Sequence, residues 1–140
     1  MPKECIYLCE ICESEFVLNG RIRRDARALC PKCKREGMRV ARANFIAKKL
    51  GNRHTLTLEQ WIYKLNFFEW KCAYCRNGKF EVLEHFKPSN QGGGTTYANC
   101  FPACFMCNSM KRPMKDHVFK HKRPRVPRQS GTIRETLEGA

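Results

Sequence analysis

The chain has 140 residues, 42% of them hydrophobic, and it carries 27 lysines and arginines against 13 acidic residues, a formal net charge of +14. A chain this short buries proportionally little apolar surface, so cross-links beyond a hydrophobic core are expected. The charge calls for a polyanionic partner, nucleic acid first, with a solvated basic surface as the plain alternative. No apolar run approaches the roughly 18 residues of a membrane span, and the first residues lack the basic and apolar regions of a secretory leader. The expectation is a cytoplasmic protein without a membrane partner.

Ten cysteines are present, and eight fall into four Cys-x-x-Cys knuckles. The sulfurs of one knuckle point at one centre, and two knuckles complete a four-thiolate zinc site. A reducing cytosol would leave these thiols free for metal. The expected structural sites are Cys9, Cys12, Cys30 and Cys33, then Cys72, Cys75, Cys104 and Cys107. Cys5 and Cys100 read as small packing residues.

Between the first two knuckles, Glu15 to Leu18, the Asn19-Gly20 dipeptide and the run Arg21 to Arg27 read as a hairpin turning at Asn19-Gly20. Residues 1–36 are thus expected to form a zinc ribbon. Arg21, Arg23, Arg24 and Arg27 are its candidate nucleic-acid contacts, or the solvated face of a hairpin. Residues 37–70 are expected to be connecting helices. In the first, Met38, Ala41, Phe45 and Ile46 recur near helical spacing, with Arg39, Arg42, Lys48 and Lys49 on other faces. The second opens on a Thr57 to Gln60 capping box and has Trp61, Leu65 and Phe68 as its buried stripe.

The third knuckle leads into a strand ending in Glu84-His85, a loop containing Gly92-Gly93-Gly94, a short strand at Tyr97-Ala98-Asn99, and a helix opened by the fourth knuckle. The triple glycine reads equally as a flexible turn or as a place where DNA approaches. His54, His117 and His121 read as surface residues, and residues 116–140 as a loose basic tail, Pro-rich and rich in Lys and Arg.

Cys72-Ala73-Tyr74-Cys75, Glu84-His85, the Pro88 to Gly94 loop, Asn99 and Cys104-Phe105-Met106-Cys107-Asn108 resemble in order and spacing the HNH endonuclease family. The resemblance covers roughly residues 55–115, and it implies a small, zinc-stabilised α+β protein with a ββα-metal core at 71–115. It further implies a metal-dependent DNA endonuclease with His85 as general base. Asn99 would hold the His85 ring through its side-chain carbonyl. Glu84 and Asn108 would hold one Mg2+ or Mn2+ ion, and Lys111 and Arg112 would touch phosphate. Two positions depart from the commonest pattern, glutamate at 84 where aspartate is usual and asparagine at 108, as in the HNN variants.

The layout also resembles small two-zinc restriction endonucleases of the PacI type. That likeness implies duplex DNA as partner and a homodimer, in a bacterial or phage-infected cell. Phage and homing nucleases share the same core. Two other readings stand beside it: a zinc-containing DNA-binding regulator that does not cut, and a structure-selective nickase or junction resolvase. The regulator reading explains the charge and the zinc, and it does not explain the ordered set of Glu84, His85, Asn99 and Asn108.

Overall fold

The computed structural model describes residues 3–111 and 123–126. Among the described residues there are two antiparallel hairpins, three α-helices and one short 3-10 helix. The first hairpin pairs β1 (Glu4–Leu8) with β2 (Glu15–Asn19), in the register Tyr7 to Phe16 and Cys5 to Leu18. The first knuckle is therefore the loop of this hairpin. Asn19-Gly20 does not turn a hairpin into the arginine run, as the sequence suggests; Gly20, at φ 109°, ends β2, and residues 21–30 continue without a strand. The physical reason lies upstream. The segment Glu4 to Leu8 supplies a partner for β2, and the Tyr7 hydroxyl accepts from the Ile22 N–H at 3.0 Å, pinning the departing chain.

Helix α1 spans Pro31–Lys49. It starts inside the second knuckle, six residues before the expected boundary, because Cys30 caps it through its sulfur and Pro31 suits the first turn. Gly37 does not interrupt it; a side chain there would press on Leu58 at 3.3 Å. The buried face of α1 is Cys33, Glu36, Val40 and Ala47. Met38, Phe45 and Ile46, which share helical spacing in the sequence, are exposed. Apolar periodicity misleads here because the inward face includes a glutamate, Glu36, that accepts a hydrogen bond from the Trp61 indole and pairs with Arg39.

Helix α2 (Leu58–Phe67) has both bonds of the capping box, Thr57 N–H to Gln60 Oε1 at 2.9 Å and Gln60 N–H to Thr57 Oγ1 at 3.1 Å. Trp61, Leu65 and Phe68 are buried as expected. The second hairpin pairs β3 (Val82–His85) with β4 (Cys100–Ala103), Glu84 opposite Phe101 and His85 opposite Cys100. Helix α3 (Phe105–Lys111) follows at once and packs on β3. Strand β4 begins one residue after Asn99, which therefore sits in the turn before the strand.

The main core joins Cys9, Cys30, Cys33 and Phe16 of the N-terminal part to Val40, Trp61, Leu65 and Cys100. Arg27 strengthens the same junction, reaching Glu10 at 3.2 Å and Glu59 at 2.6 Å. The N-terminal ribbon region thus shares its core with α1, α2 and β4. Residues 123–126 of the basic tail lie against the fold, with Arg123 over the Phe86 ring and Val126 on the Phe68 and Phe101 cluster. The rest of the expected tail, with Arg112, His117 and His121, lies outside the described residues. No described helix is long and apolar enough to cross a membrane.

Candidate active site and metal centres

Each four-cysteine group combines one tight-turn knuckle with one at the start of a helix. In the turn knuckles the fifth residue, Glu13 or Arg76, takes a left-handed conformation, at φ 62° and 61°. Its N–H bonds back to the first cysteine carbonyl, at 2.9 Å to Cys9 and 3.0 Å to Cys72. In the helical knuckles the Cys33 and Cys107 N–H groups reach the Cys30 and Cys104 sulfurs, each at 3.4 Å. The four sulfurs of each group lie within 4.8 Å of one another.

These distances suit zinc. Thiolates about 2.3 Å from a tetrahedral zinc stand about 3.8 Å apart, and Cys12 to Cys30 is 3.6 Å while Cys75 to Cys104 is 3.9 Å. The proton affinities point the same way. Burial opposes ionisation of Cys9 and Cys75, but nearby backbone N–H groups and a neighbouring thiol outweigh it, bringing them down to about 6 and about 7. Burial and adjacent sulfurs push Cys33 and Cys107 far up. Four sulfurs this close cannot all ionise without a cation, and a divalent metal would remove that conflict. Gly78 completes the second group. A side chain there would meet the Cys104 Cβ at 2.8 Å and its sulfur at 3.0 Å.

His85 closes β3. Its Nε2 lies 2.9 Å from Thr95 Oγ1, and the Thr95 hydroxyl donates to the Ala43 carbonyl of α1 at 3.1 Å. A carbonyl can only accept, so the single hydroxyl proton of Thr95 is used there. Thr95 must then accept from an Nε2–H of His85, which puts the lone pair of a neutral imidazole on Nδ1. Thr95 is fully buried and held by the chain between α1 and α2. Its N–H donates to the Arg53 carbonyl, and its own carbonyl accepts from Thr55 and Leu56.

Asn99 bonds to the loop that precedes it. Its side-chain carbonyl accepts from the Lys87 N–H at 2.8 Å, and its NH2 donates to the carbonyls of Lys87 at 3.1 Å and Gly94 at 2.8 Å. These three bonds close the loop from Lys87 to Gly94, while the His85 ring bonds to Thr95. The triple glycine has a steric purpose in this loop. A side chain on Gly93 would lie 1.8 Å from the Lys87 carbonyl oxygen, and one on Gly94 2.9 Å from that of Arg53. Asn52 adds to the closure, donating to the Ser89 and Gly93 carbonyls.

Glu84 and His85 are the last two residues of β3. Glu84 is buried, and its charge acts on Tyr74, whose pKa burial and Glu84 together push far up. Asn108 is half-buried in the first turn of α3, the helix that packs on β3. A carboxylate and an amide oxygen are hard donors, suited to Mg2+ or Mn2+ and poorly suited to a soft metal. Lys111 ends α3, and its side chain, like all of Arg112, lies outside the described residues. Among the expected nucleic-acid contacts, Arg27 is committed to Glu10 and Glu59 and Arg23 pairs with Asp25 at 3.1 Å, while Arg21 and Arg24 are exposed.

Two residues near the site carry no sequence signal. Thr95 is one. The other is Lys64, buried in α2, whose ammonium donates to the carbonyls of Tyr97 and Cys100 and lies over the Tyr97 and Phe101 rings. It braces both ends of the turn that contains Asn99. Burial drives its pKa down to about 7, against the pull of Cys100.

Comparison with curated proteins gives no match, and comparison with solved structures gives none. Residues 72–113, a segment that includes the third knuckle, the second hairpin and α3, match the family model described as HNH endonuclease. The match supports a nuclease, and it covers the segment that holds Glu84, His85, Asn99, Asn108 and the second four-cysteine group.

Proposed function

We propose that the protein is a metal-dependent endonuclease that hydrolyses phosphodiester bonds of duplex DNA. The observation that carries this reading is His85, placed at a strand end within the HNH-matching segment and tied through Thr95 to α1. In this reading Nδ1 of His85 takes the proton from the attacking water, while Thr95 keeps the other ring nitrogen protonated and the ring in place. A base so placed typically contributes about 10²- to 10⁴-fold. Glu84 and Asn108 would hold a divalent cation, which when bound supplies charge stabilisation to the phosphate. Asn99 acts one step removed, by closing the loop that presents Thr95. Lys111, Arg112, Arg21 and Arg24 remain candidates for phosphate contacts.

Both four-cysteine groups are proposed to hold structural zinc, the second fixing α3 against the catalytic hairpin. The test uses supercoiled plasmid and zinc-loaded protein, with and without added Mg2+ or Mn2+. Nicked or linear product that depends on the added ion is expected. A band shift without any cutting in either ion would reject the nuclease and favour a DNA-binding regulator.

A further inference from the structure

The arginine run at 21–27 is the conspicuous basic motif of the sequence, yet a different set of cations shares a cavity with His85. A groove of about 610 Å³ runs between α1 and β3, and its lining includes Arg35, Met38, Arg42 and Ile46 from the helix and Leu83 and His85 from the strand. We propose that this face of α1 is the track on which one strand of duplex DNA lies as it passes the reaction centre, with Arg35 and Arg42 as its phosphate contacts. This inference rests on the nuclease reading and names the surface by which that site takes its substrate.

Charge complementarity carries it. Helix α1 has seven cationic residues and one acidic residue, Glu36, and Glu36 is buried against Trp61 and Arg39. Nothing acidic on the helix therefore competes for its outer arginines. Arg39 is already held by Glu36, by the Glu81 carbonyl at 3.2 Å and by the Phe80 ring, so it lends charge without being free to move. Arg35 and Arg42 are exposed and have no ion-pair partner among the described residues.

Spacing agrees. Seven helical residues rise about 10.5 Å, about three nucleotide steps at 3.4 Å per step on one strand, so the two guanidinium groups can address phosphates separated by a few nucleotides. Met38, between them, and Ile46, one turn beyond Arg42, are 68% and 45% exposed. Arginines alternating with exposed apolar side chains fit a chain of phosphates and sugar edges better than they fit a free anion.

The experiment compares two charge-matched double variants of the full chain. One is Arg35→Gln with Arg42→Gln. The other is Lys34→Gln with Lys48→Gln, exposed positions on another face of the same helix. Affinity for a short duplex is measured against salt without added Mg2+ or Mn2+, with zinc content confirmed, and plasmid cutting is measured separately. Each lost phosphate contact should remove about 0.9 from the slope of log affinity against log salt. The arginine variant should lose about 1.8 in slope and at least tenfold in low-salt affinity, the lysine variant much less.

Equal losses in both variants, or unchanged binding in the arginine variant, would overturn the surface. The two readings can fail separately. Wild-type cutting together with an arginine variant that binds and cuts normally removes the surface and leaves the nuclease. Arginine-dependent binding without any wild-type cutting keeps the surface and removes the nuclease.

Discussion

Thr95 has one hydroxyl proton, and its destination determines what His85 can do. Because that proton goes to Ala43, a neutral imidazole at His85 keeps its own proton on Nε2, toward Thr95. Thr95→Val keeps the shape and removes the acceptor. Its turnover should fall about 10- to 100-fold, as for other residues that orient a functional imidazole, with DNA affinity unchanged and activity restored in Thr95→Ser. Equal activity in the valine variant would detach Thr95 from the reaction. Lys64 gives a second prediction at this scale. Its folded pKa of about 7 lies below the ordinary 10.5, so between these values the unfolded chain binds more protons and stability rises with pH. The contribution is lost as pH falls through about 7. Denaturant titrations of wild type and Lys64→Met from pH 6 to 8.5 should show a rising difference in favour of wild type; a constant difference would mean that the lysine stays charged in the fold. Neither residue was legible in the sequence. Thr95 meets Ala43 across 52 positions, and Lys64 looks like any solvent-facing lysine of an amphipathic helix.

Among elements, the knuckles and the presence of the first helix were legible, and the buried face of that helix was not. Cys-x-x-Cys spacing is a local property, and the structure brings the sulfurs together as two groups of four. The capping box of α2 is equally local, and both its bonds are present. The buried face of α1 depends on partners distant in sequence: Glu36 turns inward because Trp61 offers it an indole N–H, which leaves Met38, Phe45 and Ile46 outside. The role of Asn99 in the loop was not legible for a related reason, since its amide bonds to the backbone of Lys87 and Gly94, which fold back onto it. Gly78 tests the second four-cysteine group as an element. Gly78→Ala places a methyl against Cys104 and should lower zinc content from near two per chain to near one, measured by elemental analysis of native protein. Two zinc ions retained with unchanged thermal stability would remove the proposed packing constraint.

At the scale of the molecule, the N-terminal cysteine group is built into the core that carries α1, α2 and β4, and Arg27 ties it to Glu59. Structural zinc of this kind is worth roughly 10–16 kcal/mol of apparent binding energy in small peptides, comparable to the stability of a whole small domain. Replacing Cys9 and Cys12 by serine should therefore lower the single melting transition of the entire fold; an independent low-temperature transition, with the HNH-matching part unchanged, would show that the ribbon region folds by itself. The measurement that bears most directly on the central claim compares wild type with His85→Ala, both carrying two zinc ions and binding duplex DNA equally. Plasmid cleavage in Mg2+ or Mn2+ should fall about 10²- to 10⁴-fold in the alanine variant. Cleavage at the wild-type rate would contradict the assignment of His85 as the base.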